Sequence, residues 1–135
     1  MPPRRRRELD DAALAEERRL ACLASHHLAA PVTVVQAGSG QIAYTNASWN
    51  TLFGYRAQEA VGRHISAVHR LVEESSPGDQ LREMMRRLDR SGWWSGRLAG
   101  VGSNGAQFWC TVLISQVTDD AAGQLWVSVY LPSDN

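Results

Sequence analysis

Three alternating runs near the end of the chain, residues 94–101, 106–116 and 124–131, constrain its fold more than any other feature. Ser103-Asn104-Gly105 separates the first two, and residues 119–123 separate the last two. Asn-Gly between alternating runs is a strong hairpin signal, because both residues tolerate the positive φ that a tight turn needs. The last third is therefore expected to be an antiparallel meander. Upstream, residues 32–35 and 41–44 flank Gly38-Ser39-Gly40 and read as a further hairpin, giving five strands.

Between the two strand regions the period changes to that of short helices. Asn46 opens a segment over 47–53 that Gly54 stops, and 56–61 forms another turn that Gly62 stops. A loop at Ser75-Ser76-Pro77-Gly78 precedes Asp79, which is placed to cap a helix over 80–90 that ends before Gly92. Leu81, Met84, Met85 and Leu88 would form its apolar face. A longer helix is expected over 8–28, with Leu9, Ala13, Leu20, Leu23 and His27 at helical spacing and Pro31 ending it. Its stripe is narrow and rich in alanine, so it must pack on its own domain or on a second copy. These elements make an α+β domain, a five-stranded antiparallel sheet with short helices on one face. Its expected boundaries are 31–131, after an arginine-rich extension over 1–30 and before a tail over 132–135.

A chain of 135 residues can bury one continuous core, and 44% hydrophobic residues with zero formal net charge suit a globular protein. Every basic residue is arginine, and four stand together at Arg4 to Arg7, so basic character is concentrated at the N-terminus. That cluster is expected to be a solvated, disordered terminus rather than a specific nucleic-acid reader. Glu8, Asp10, Asp11, Glu16 and Glu17 follow where a signal peptide would be uncharged. No apolar run reaches the roughly 18 residues of a membrane span. With only Cys22 and Cys110, no disulfide framework exists, and a reducing cytoplasm is the expected location. Cys22 with His26 and His27, or His64 with His69, could begin a zinc site, but structural zinc wants four converging ligands. No nucleophile elbow, histidine metal motif or phosphate loop is present, so no enzymatic activity is expected.

The order of these elements and several short motifs resemble the PAS domain family. Residues 40–49, Gly-Gln-Ile-Ala-Tyr-Thr-Asn-Ala-Ser-Trp, are similar to the family's glycine, strand and Asn-Ala-aromatic opening. Leu52-Phe53-Gly54-Tyr55 resembles its Leu-x-Gly-Tyr, and Glu59-Ala60-Val61-Gly62 its Glu-x-x-Gly. Gly92-Trp93-Trp94-Ser95-Gly96, residues 104–109 and Gly123-Gln124 fall where the family places its closing strands. The turn chemistry agrees, since Gly54 and Gly62 stand where helices stop with positive φ. Asn46 can bond the local backbone to start a helix.

The resemblance implies a sensory module that holds a small ligand or cofactor between sheet and helices and passes the change to a protein partner. The alternative is a ligand-free dimerisation module. A photoactive flavin site of the LOV type requires a reactive cysteine, and the corresponding stretch His64-Ile65-Ser66-Ala67-Val68-His69 has none. The longer helix lacks the histidine that haem-binding members use, which argues against haem. Trp94-Ser95-Gly96 resembles a motif of flavin-binding redox and aerotaxis sensors, with His69 and Arg70 near their Arg-His, so FAD is the specific cofactor implied. A tryptophan could stack on the flavin ring and an arginine meet the pyrophosphate. The cofactor-binding residues expected on this basis are Asn46, Trp49, His69, Arg70, Met85, Trp94 and Trp109. The expected partners are a second copy, through the N-terminal helix or the sheet face, and a signalling protein such as a kinase or transcription regulator. Because residues 130–135 carry no Asp-x-Thr step into a coiled coil, the effector is expected on a segment cut away or in trans.

Overall fold

A computed structural model describes residues 3–26, 29–71 and 77–132. In chain order these form α1 (Pro3–His26), β1 (Val32–Gln36), β2 (Ile42–Thr45), α2 (Ala47–Phe53) and α3 (Ala57–Ala60). A single 3-10 turn (Ile65–Ala67) follows, then β3 (His69–Leu71), α4 (Pro77–Ser91), β4 (Trp93–Val101), β5 (Gln107–Asp119) and β6 (Gly123–Pro132). The tail expected over 132–135 begins inside β6, and residues 133–135 lie outside the described residues, as do His27, Ser75 and Ser76.

The meander forms as expected, with β4 pairing β5 and β5 pairing β6, both antiparallel. Its turns are held by their own side chains: Asn104 Oδ1 accepts from the Ala106 amide at 2.9 Å, and Asp119 Oδ2 from the amides of Ala121 and Ala122. The hairpin of β1 and β2 then returns to pair β1 with β6, Thr33 opposite Ser128 and Val35 opposite Trp126. The order across the sheet is β2-β1-β6-β5-β4-β3. Six strands replace the expected five. The extra one, β3, is three residues long and pairs only with β4, too short to show a period in the sequence.

Alternation gives the sheet two distinct faces. The inner face carries Thr33, Val35, Trp94, Leu98, Cys110, Val112, Ile114, Ser128 and Tyr130, all buried. Trp49 and Phe53 of α2, Ala60 of α3, and Met84 and Leu88 of α4 complete one core against it. Helix α4 starts at Pro77, so Asp79 lies inside its first turn instead of capping it. Proline is favoured there because its missing N–H is one of the unsatisfied donors of a helix start. Gly54 and Gly62 take the expected positive φ, 78° and 94°.

Helix α1 begins at Pro3 and therefore includes Arg4 to Arg7, which corrects the expectation of a disordered terminus. An uninterrupted run of good helix formers carries the helix back to the proline. Its exposed Arg4–Glu8 pair, 3.8 Å apart, adds little. Leu9, Leu14 and Leu20 all face solvent. Among the described residues no helix is long and apolar enough to cross a membrane.

Candidate functional site

The inner face is finished differently at its two ends. At one end α2 closes it with aromatic rings: Trp49 stacks on Phe53 at 4.2 Å, and Phe53 meets Phe108 and Tyr130 edge-on at 5.0 and 5.5 Å. Asn46 fixes the position of α2. Its Oδ1 accepts from the amides of Val32 and Trp49, and its Nδ2 donates to the Ala30 carbonyl, tying the helix start to the entrance of β1.

At the other end, under α4, a cavity of about 410 Å³ remains. Its apolar wall includes Val35, Met84, Leu98, Ile114 and Trp126. The Trp126 indole is held in place by donating to Gln116 Oε1 at 3.0 Å. Its rim is formed by residues 37–40 after β1 and by His64, Ile65 and Ser66. The His64 Nδ1 accepts from the Ser66 amide at 3.1 Å and caps the 3-10 turn.

Where the two ends meet, a polar chain crosses the core. His69 Nε2 shares a hydrogen bond with the Tyr130 hydroxyl at 2.7 Å, and that hydroxyl shares another with Thr33 Oγ1 at 3.0 Å. Thr33 and Tyr130 are fully buried, whereas His69 keeps some accessible surface, part of the cavity wall. Burial holds the His69 pKa down at about 4, so the ring is neutral near pH 7. Burial also pushes the Tyr130 phenol far above its usual range, a shift that the Thr33 hydroxyl opposes. The chain is thus a buried sequence of neutral donors and acceptors. His69 Nδ1 has no hydrogen-bond partner among the described residues and is not among their sealed, unpartnered atoms.

Of the seven residues expected to bind a cofactor, His69 and Met85 line the cavity. Asn46 and Trp49 sit in the packed end, and Arg70, on the opposite side of β3 from His69, is exposed. Trp94 is buried in the core with its indole against Gly96, where a Cβ would come within 2.5 Å of the ring. The Trp-Ser-Gly spacing therefore has a packing reason: residue 96 must be small for the indole to lie on the strand. Trp109 lies on the outer face, with the Arg97 guanidinium 4.7 Å from its ring centre. Sequence reasoning missed Tyr130, Ser128 and Trp126, although their period-two spacing places them on one face of β6.

A flavin dinucleotide needs cationic or backbone partners for its pyrophosphate, yet no arginine is among the described residues lining the cavity. Among those residues the backbone of 37–40 at the rim is the partner that remains for it. Cys110 is buried on β5, its thiol donating to the Leu98 carbonyl at 3.5 Å and pushed up to about 11 by burial, which makes it unreactive. The side chains of Cys22 and His26 lie outside the described residues, and no cluster of three or more metal-ligating side chains occurs among those described.

A family model described as a PAS domain matches residues 30–130. The chain belongs to the PAS domain family. The PAS domain of a protein from Colwellia psychrerythraea is similar to it, with TM-score 0.71 and 18% identity over 85% of this chain and 95% of that one. The PAS domain of an HTR-like protein from Haloarcula marismortui covers 98% of this chain and 100% of its own at 14% identity, TM-score 0.67. An RNA-binding light-oxygen-voltage receptor matches 87% of this chain but 34% of its own, at 21% identity and TM-score 0.68. At these identities the likeness is one of fold. No curated protein matches the sequence significantly. The six-stranded sheet with α2, α3 and α4 on its inner face is the PAS fold of this chain.

Proposed function

We propose that this PAS domain is a signal-sensing module that takes a small ligand into the cavity under α4 and relays its presence to a protein partner. The observation that carries the reading is the chain from His69 through Tyr130 to Thr33. It runs from the cavity wall to β1, the strand that follows α1 in the chain. A ligand that changes the His69 hydrogen bonding would act on both strands that Tyr130 and Thr33 belong to. A kinase or transcription regulator is the class of partner that such a relay would serve in the cytoplasm.

Mass spectrometry of small molecules released by heat or acid, together with the absorption spectrum of the purified protein, tests the reading. Release of a stoichiometric ligand supports it, and release of a flavin would return FAD to first place. A folded protein that releases nothing and gains no thermal stability from a library of small molecules would sink it.

A second reading is a homodimerisation module, supported by the outer sheet face. Leu113, Val117 and Leu131 stand exposed there, Leu131 at 61%, and Leu9, Leu14 and Leu20 of α1 are exposed as well. Sedimentation of the full chain beside residues 29–135 measures the contribution of α1. A chain that stays dimeric without residues 1–28 removes that helix from the interface, and loss of the dimer in Leu113→Glu assigns the sheet.

A further inference from the structure

We infer that the cavity takes an uncharged, mainly apolar molecule with a single hydrogen-bonding group, which Nδ1 of His69 orients. The inference rests on the ligand-sensing reading and narrows it to one chemical class.

Charge is the first argument. None of the described lining residues is an arginine, aspartate or glutamate, and its two titratable groups are His64 and His69. His64 already spends one ring nitrogen on the Ser66 amide at the rim. The ring of His69 is neutral near pH 7. An ionic ligand would have to leave water for an apolar wall whose described residues include no acidic or arginine side chain, a transfer that proteins avoid unless the charge is paired.

Size is the second. A volume of about 410 Å³ lies toward the lower part of the range of roughly 300–1,000 Å³ usual for ligand pockets. It suits a two- or three-ring molecule better than a dinucleotide.

Polarity is the third. The described wall is apolar except at a few places, and among these His69 begins the hydrogen-bonded chain that runs through Tyr130 to Thr33, with Ser128 beside the same Tyr130 hydroxyl. Its Nε2 is committed to Tyr130, so Nδ1 is the atom left to address a ligand. When Tyr130 donates to Nε2, the ring carries its proton on Nδ1 and can donate to a ligand carbonyl. When Nε2 carries the proton, Tyr130 can donate to Thr33, and Nδ1 accepts from a ligand hydroxyl. One polar group on the ligand thereby selects the direction of the whole chain.

Matched fluorescent probes and the full-length protein test this. Prodan is an uncharged naphthalene with one ketone, 1-anilinonaphthalene-8-sulfonate is its anionic counterpart, and FAD serves as the dinucleotide. Prodan is expected to bind at least tenfold more tightly than either. His69→Leu should weaken Prodan about two- to tenfold, the loss of one hydrogen bond. Met85→Trp, on the half-exposed face of α4, should weaken it about tenfold by filling the cavity, and it leaves the polar chain intact in case His69→Leu does not fold.

Tighter binding of the sulfonate or of FAD would overturn the uncharged class while leaving the ligand-sensing reading in place. Unchanged Prodan affinity in a folded His69→Leu protein would remove His69 as the orienting group, and unchanged affinity in Met85→Trp would put the probe elsewhere. If no probe binds a protein with a native circular-dichroism spectrum, the uncharged class is overturned, while the ligand-sensing reading stands or falls by the release and library tests.

Discussion

The two ends of the inner face use similar residue types to opposite effect. Under α2, rings pack on rings, with an open cleft on the outer side of Phe53 and Phe108, and Asn46 locks the helix to the sheet with three hydrogen bonds. Under α4, Met84 and Leu88 are buried while Leu81 and Met85, on the same helix, remain substantially exposed at the edge of a cavity. The difference lies in how each helix is tied down. Helix α2 follows β2 after a single residue, Asn46, whereas α4 is joined to β3 through residues 72–76.

The largest test of this contrast compares truncations at the two ends. Trp49→Ala or Phe53→Ala should cost about 3–5 kcal/mol by opening a hole in a filled core, and Met85→Ala about 1 kcal/mol or less. Urea midpoints measure both, and equal losses would break the comparison.

The next effect is one of pH. His69 titrates near 4 in the folded protein, against about 6.5 in an unfolded chain. Between these values the unfolded state binds more protons, so stability falls as pH is lowered from about 6.5 to about 4, by up to about 3 kcal/mol. The contribution is fully present above pH 6.5. His69→Gln should flatten that part of the pH–stability curve relative to the native chain, because glutamine does not titrate.

Asn46→Ala should cost about 2–3 kcal/mol, since it removes a helix cap and leaves the buried Val32 amide without its partner. Circular-dichroism melts check it, and a loss no larger than that of Met85→Ala would mean that α2 is held by its rings alone. Gly96→Ala is expected to cost about 1–3 kcal/mol, because the new methyl would displace the Trp94 indole. A change in Trp94 fluorescence should accompany it, with the cavity left as it is.

The fold was largely legible because its signals are local. Ser103-Asn104-Gly105 and Asp119 to Gly123 place their turns within a residue or two, and Asn46 with Gly54 bounds α2 as expected. The arginine run was misjudged because charge density hides helix propensity, and β3 was missed because three residues cannot display a period. The site was less legible. Trp94 and Arg70 were chosen for their chemistry, but strand alternation sends Arg70 to the outside and Gly96 draws Trp94 into the core.

By itself the sequence determined five of the six strands, the turns and the short helices, since each depends on residues within a few positions of one another, and the order of these pieces carried the family. Only the tertiary structure decided that residues 33, 69 and 130 meet, because that contact depends on pairings far apart in the chain: Thr33 opposite Ser128, and His69 opposite Gly100. It also decided where the cavity lies, because empty space follows from how side chains of separate elements fill the gap between helix and sheet.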